Sequence, residues 1–301
     1  MKITESCTFL TVLADIPTVQ TITSHRVQFG ELAGPLVSSS TLFDWQLIST
    51  QAITNAADDS FEGILEEDGI PYAPVVNTAS VARYPAVGDT IGVEATPTNV
   101  GDSSVELTYD VVDDDGATLA TAQMTHVTIG PDGSALSLPD SARASFEESE
   151  VSRSPPVGPG REPDQTDSDA LPSFSSTTRV RSPLAEGATL AYFEEYPRLA
   201  TIAIEEHVER RGADVADLYD GRVPFRMRDW RWEFESPVRF QSTLEVECDV
   251  IGVDRETVRV EHTLSSDGRT SIRGTTDYGC FDEAGEPTAF DERTLELLEG
   301  A

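Results

Sequence analysis

Lysine is almost missing from this sequence. Of its 21 basic residues only Lys2 is a lysine and the rest are arginines, set against 54 acidic residues for a formal net charge of -33. A surface of that sign repels nucleic acid and anionic membranes, so neither is expected as a partner. The acids are spread along the chain rather than blocked, which reads as a solvated surface suited to high salt more than as a tail for a cationic partner. At molar salt the Debye length is roughly 3 Å, and most self-repulsion is screened. Cysteine is scarce too. Cys7, Cys248 and Cys280 form no Cys-x-x-Cys pair, so neither a zinc site nor a disulfide framework is expected, and the thiols read as reduced ones in a cytoplasm. The histidines, His25, His126, His207 and His262, lack ligand spacing, so no metal is expected, and each reads as a structural donor. No stretch approaches the ~18 apolar residues of a membrane span. Residues 8–18 carry Asp15 and Pro17 behind a segment that sets Lys2 against Glu5, a poor signal peptide. A Gly-x-Ser-x-Gly elbow is absent, which leaves a serine hydrolase triad unsupported.

What the chain does have is a repeat. The stretch from Arg83 to Asp140 returns as Glu235 to Glu292, with Ile91 falling on Leu244, Val100 on Val253, Val105 on Val258 and, after a one-residue gap, Gly116 on Gly268. Both copies alternate apolar and polar residues and both turn at Asp-Gly, the pattern of paired antiparallel strands. Upstream of each copy lies a strand and then a helix. In the first, 21–31 alternates and 38–57 reads as a buried helix, with Thr41 and Asp44 at capping-box spacing. In the second, 173–182 reads as a strand and 190–212 as a helix that must begin near 191–196, because Pro197 is tolerated only in a first turn. Strands are expected at 74–85, 89–99, 103–113 and 117–130, and again at 223–238, 242–252, 255–265 and 270–281. Residues 141–148 suggest a short terminal helix. The Ser/Pro/Gly/Asp-rich stretch after it buries too little to order itself. The expected organisation is a module at 1–145, a flexible linker at 146–172 and a module at 173–301. Two sheets in tandem can pair and shield one edge each.

This order, a strand, a long helix and four strands, resembles the hotdog fold. The phrase RYPAVGDTIGVEATPTNVGDSSVELTYDVVDDDG is similar to the segment after the helix in acyl-CoA thioesterases of the 4-hydroxybenzoyl-CoA thioesterase-like group. The helix start STLFDWQLISTQ resembles acyl-carrier-protein thioesterases, themselves double hotdogs. The resemblance implies an α+β fold of two tandem hotdog modules, each an antiparallel sheet wrapped around a long central helix. It implies an acyl-CoA or acyl-carrier substrate and no cofactor, and it admits a homodimer of double-hotdog chains. In that group an acidic loop between first strand and helix carries the usual catalytic position. Here the matching loops are 29–35 and 181–188. Glu31 matches the first acidic position, the second falls on Leu32 or Ala33, Glu186 precedes Gly187, and no His follows Gly34 or Gly187.

Thioester cleavage needs a base or nucleophile at the carbonyl carbon and donors for the oxyanion, which a helix N-terminus supplies. Four acids stand near the two helix starts: Glu31, Asp44, Glu186 and Glu195. Aligning Leu42-x-x-Trp45 on Phe193-x-x-Tyr196 sets Asp44 opposite Glu195. Each also has a plain structural reading, as a cap or a solvated acid. The one basic run, 221–234, contains Arg226 and Arg228 as candidates for the phosphates of coenzyme A, with Arg222 and Arg231 beside them; such arginines also pair with acids across a sheet. Trp230 and Trp232, two apart, share a face and belong to a core or interface. Hydrolysis of an acyl thioester is the leading expectation. The alternatives are a hydratase or dehydratase, which wants an acid and a histidine in one cleft, and a non-catalytic acyl-CoA-binding protein.

Overall fold

The computed structural model describes residues 19–160, 171–186 and 190–299. The leading segment with Cys7, and Gly187, lie outside the described residues. In the first module β1 (Val19–Arg26) leads through a 3-10 turn and a two-rung hairpin, β2 (Leu32–Ala33) and β3 (Leu36–Val37), into α1 (Ser39–Ala56). A short helix, α2 (Phe61–Glu66), precedes β4 (Ile70–Val81), β5 (Thr90–Val100), β6 (Ser104–Asp113), β7 (Thr118–Ile129) and α3 (Asp140–Glu148). The second module repeats the order with β8 (Ser173–Arg179), α4 (Glu195–Arg210), β9 (Arg222–Phe234), β10 (Thr243–Val253), β11 (Thr257–Ser266) and β12 (Arg269–Asp282), closed by β13 (Pro287–Thr288) and α5 (Glu292–Glu299). The Asp-Gly turns of the repeat are the β6–β7 and β11–β12 hairpins, with Gly116 and Gly268 at φ of 82° and 76°, a conformation glycine adopts without strain.

All the long strands join one antiparallel sheet in the order β1-β5-β6-β7-β4-β9-β12-β11-β10-β8. The modules meet at β4 and β9, where Val76 faces Glu233 and Ser80 faces Asp229. Those two rungs are related to each other by the repeat, so a pseudo-two-fold axis passes through the Thr78–Arg231 rung between them. The helices lie on one side of the sheet and bury its apolar face. At the junction Phe43 of α1 lies 5.2 Å from Trp230 and 4.9 Å from Phe193 between ring centroids. Trp230 and Trp232 are 1% and 0% exposed, and such aromatic contacts add about 0.5–1.5 kcal/mol each beyond burial. The expected core position of both tryptophans is what the structure shows.

Three local expectations change. Ser38, not Thr41, caps α1: its side chain accepts from the Thr41 N–H at 3.1 Å, and Asp44 satisfies no cap. The apolar stripe of α1 is narrower than the sequence suggested, because Ser49, Thr50 and Thr54 are buried while Ile48 is exposed. Residues after α3 make specific contacts as far as 160: the Val151 N–H donates to Pro97 O at 2.9 Å, Arg153 pairs with Asp110 at 2.5 Å, and the Gly160 N–H donates to Asp277 at 3.2 Å. This stretch straps the outer face of the sheet from the first module to the second, and its polar contacts replace the hydrophobic burial its composition lacks.

Candidate active site

The two strand–helix loops hold corresponding positions. In the first module Leu32 pairs with Val37, and Leu36 bridges to Ala86. In the second Ala185 bridges to Ala191, and Leu190 to Arg239. Ala185 therefore stands where Leu32 does, and Glu186 stands where Ala33 does. The paired strands correspond as well. Pro71-Tyr72 and Pro224-Phe225 sit at matching bulges of β4 and β9, and Tyr72 and Phe225 both have positive φ, 42° and 57°. Ile70 faces Ile129, and Val223 faces Phe281. It follows that Ala73 corresponds to Arg226 and Ile129 to Phe281.

These exchanges decide where the molecule is hollow. A cavity of about 480 Å³ opens at one end of the module interface. Its walls are Leu47 of α1, Phe61 and Leu65 of α2, Ala73 and Val75 of β4, Met124 and His126 of β7, then Glu186, Phe193, Tyr196 and Phe234 from the second module. At the other end the matching space is filled. Arg226, 4% exposed, donates to Ala33 O. Tyr84 bonds Met227 O at 2.7 Å and meets Phe281 edge-on at 4.9 Å. Large residues at one end stand where small ones stand at the other, so among the described residues the two corresponding ends differ, one hollow and one filled. A groove of about 500 Å³ on the outer sheet face is a different environment: its Arg231, Arg259 and Arg273 are paired with Glu233, Asp277 and Glu235. It offers paired charges, while the interface cavity offers the mostly apolar wall with a few polar groups that small-molecule sites share.

Of the four acids read from the sequence, Glu186 alone lines this cavity. Burial, with a smaller push from Glu194, raises its carboxyl to about 7. A carboxylic acid poised there exchanges a proton near neutrality, as general acid–base chemistry requires. It shares the cavity wall with Phe193 and Tyr196 at the start of α4, so the positive end of that helix lies beside it. The Tyr196 hydroxyl is pushed up by burial and by Glu186.

The other three acids are placed elsewhere. Glu31 is held by His25 at 2.8 Å, the Gln28 N–H at 2.6 Å and the Trp45 indole at 3.3 Å, a clasp between β1 and α1. Glu195 is 4% exposed and pairs with Arg198 at 2.9 Å, one turn along its own helix. Asp44 does not stand opposite Glu195. Both helices end in a positive-φ residue, Asp58 and Gly212, and that register sets Asp44 against Arg198. Burial and then Glu31 raise the Asp44 carboxyl. Glu194, which the sequence reading passed over, is raised by burial and by its neighbours Asp44 and Glu195. Its position just before the helix, one residue from Glu195, was the only signal for it. The arginines do not serve the cavity: Arg226 is buried at the filled end, and Arg228 faces Asp229 and Glu256 at 3.8 and 3.7 Å.

His126 also lines the cavity, but both its nitrogens are taken. Nδ1 lies 2.8 Å from Tyr72 O and Nε2 lies 2.7 Å from the Tyr109 hydroxyl. Nδ1 must carry a proton to meet the Tyr72 carbonyl, and because burial holds the ring's pKa down at about 4 it is neutral near pH 7, with Nε2 accepting from the Tyr109 hydroxyl. In the second module the pair is exchanged, with His262 on β11 and Tyr278 on β12 at 3.3 Å. The pair braces the sheet beneath each helix.

Neither a family model nor a curated protein matches the sequence. Solved structures do. A protein described as an oleoyl thioesterase from Lactobacillus plantarum superposes with a TM-score of 0.68 at 13% identity, covering 87% of this chain and 97% of its own. The 12:0-ACP thioesterase from Umbellularia californica gives 0.65 at 13% identity, over 88% and 96%. An acyl-ACP thioesterase from Bacteroides thetaiotaomicron gives 0.59 at 15%, over 87% and 96%. This chain is a tandem hotdog. Coverage that is nearly complete on both sides means that the whole double-hotdog architecture is shared, not one module alone. At this identity it is the fold that is shared, and the chemistry has to be argued from Glu186 and its cavity.

Proposed function

We propose that this double hotdog hydrolyses acyl thioesters at one site per chain, with Glu186 as the working carboxylate. The observation that carries the reading is a carboxyl raised to about 7 in the wall of a largely apolar cavity of about 480 Å³, beside a helix N-terminus. The apolar walls suit an acyl chain. Ionised Glu186 takes a proton from water as the oxygen bonds to the thioester carbon. N–H groups at the start of α4 favour the oxyanion, which collapses with cleavage of the C–S bond. The proton on Glu186 passes to the departing sulfur, leaving a carboxylic acid and a thiol. The tandem hotdogs it superposes on are described as acyl-ACP and oleoyl thioesterases, which makes acyl-carrier and acyl-CoA thioesters the substrates to try first. The free, buried thiols of Cys248 and Cys280 suit a reducing cytoplasm. A hydratase reading is less well supported, because both nitrogens of His126, the histidine that shares this cavity, already have protein partners.

The test is thiol release from an acyl-CoA and from an acyl carrier protein, by the wild-type chain and by Glu186→Gln. The reading expects turnover above background and a loss of about 10²-fold or more in the variant. Binding of the acyl group without turnover would favour a non-catalytic acyl binder.

A further inference from the structure

The two ends of the module interface amount to an internal comparison, because one scaffold is hollow at one end and filled at the other. Where the two ends differ, Ala73 lines the hollow one and its counterpart Arg226 lies in the filled one. Both follow a Pro-aromatic pair with positive φ on the strand that joins the modules. The backbones agree, with Ala73 opposite Val127 and Arg226 opposite Gly279, so the side chains leave their strands at equivalent points. Arg226 runs from there to the carbonyl of Ala33, the position matched by Glu186. A side chain longer than alanine at 73 would therefore cross the space between β4 and Glu186.

We infer that Ala73 is a specificity-determining residue: its lack of a side chain beyond Cβ is what admits an extended acyl chain past Glu186 into the cavity. The inference rests on the reading of the cavity as an acyl site, but not on hydrolysis. Room at this point sets how much of the chain enters between α1, α2 and the sheet. A short acyl group, seated beside Glu186, is touched little by residue 73, whereas a long one must pass it. Ala73 touches no reacting atom in this account and acts through the width of the passage.

The experiment is calorimetric binding of straight-chain fatty acids from butanoate to palmitate to wild-type protein and to Ala73→Val, Ala73→Leu and Ala73→Phe. Valine and leucine keep the comparison open if phenylalanine spoils folding, and folding is checked by thermal melts. Wild-type affinity should rise with chain length. In the variants the long acids should lose affinity by about tenfold or more, increasing with the size of the new side chain, while the short ones change little. A uniform loss at every length, an unchanged ladder, or no binding by the wild type would overturn the inference. Thiol release is scored separately, so length-dependent binding without turnover would retire the hydrolase reading and leave this one standing.

Discussion

Arg226 stands in the second module where Ala73 stands in the first, and it donates to the carbonyl of Ala33, the counterpart of Glu186. One end of the interface thus holds Glu186 and open space, and at the other Arg226 fills the space, with Ala33 in place of Glu186 and Glu205 beside the guanidinium. Truncating the plug should make the ends more alike without making them equal. Arg226→Ala should cost about 2–5 kcal/mol in urea unfolding, in the range of large-to-small core changes. It should also add a second binding event for a fatty acid, with no gain in thiol release, because Ala33 supplies no carboxyl. Unchanged stoichiometry in a folded variant would show that the plug is not what fills that end.

The strap across the outer face rests on a buried ion pair. Arg259 Nε and Nη2 reach the two carboxylate oxygens of Asp277 at 2.6 and 2.8 Å, and the Gly160 N–H joins Asp277. Asp277→Asn keeps the shape but removes the bidentate carboxylate charge from Arg259, which also feels Asp254 and Asp229, and breaking a buried pair of this kind costs up to about 3–5 kcal/mol. A urea midpoint within error of wild type would show that strap and pair contribute nothing.

The fragment 1–145 should self-associate. It leaves the β4 edge unpaired and removes Trp230 and Trp232 from Phe43. Light scattering would report this, and a monodisperse monomer would contradict it.

Stability should rise from low to molar salt. At a net charge of -33 self-repulsion opposes folding, and salt screens it while strengthening apolar burial. Thermal melts across potassium chloride concentrations test this, and a flat profile would count against it.

The repeat made the fold legible. Period-two alternation from Ile91 and from Leu244, with Asp-Gly at matching places, gave the hairpins, and Pro197 placed the start of α4 to within a few residues. Spacing also put Trp230 and Trp232 on one face. The cavity at one end of the interface was not legible, because it depends on which residue of one module lies across from which residue of the other. Ala73 and Arg226 are 153 positions apart and become comparable only once the β4–β9 rungs are known. For the same reason four acids near helix starts looked alike in sequence. Glu31 is held by His25 and Glu195 by Arg198, Asp44 lies within repulsion of Glu31 in its own module and Glu194 in the other, and of the four Glu186 alone lines the cavity. The short helix α2 carries too few apolar positions to show a period, yet Phe61 and Leu65 line that cavity.

The titration of Glu186 bears on stability as well as on catalysis. Its carboxyl sits at about 7 in the fold against 4.5 for a free glutamate. The folded state therefore holds the proton more tightly, and this stabilisation is fully present below about pH 4.5 and lost as pH rises through about 7. Glu186→Gln cannot lose a proton, so at pH 8 it should melt higher than wild type, with the difference vanishing near pH 4. A lower melting temperature for the variant at pH 8 would mean that the ionised carboxylate is held by favourable contacts instead.

The most direct measurement is the pH dependence of thiol release from a long-chain acyl thioester. If Glu186 is the base, kcat/KM rises with pH and levels off above an apparent pKa near 7, the value its burial sets, and Glu186→Gln loses both the rate and the inflection. A profile flat through neutrality, or a Glu186→Gln variant that keeps the wild-type rate and the same inflection, would contradict the assignment.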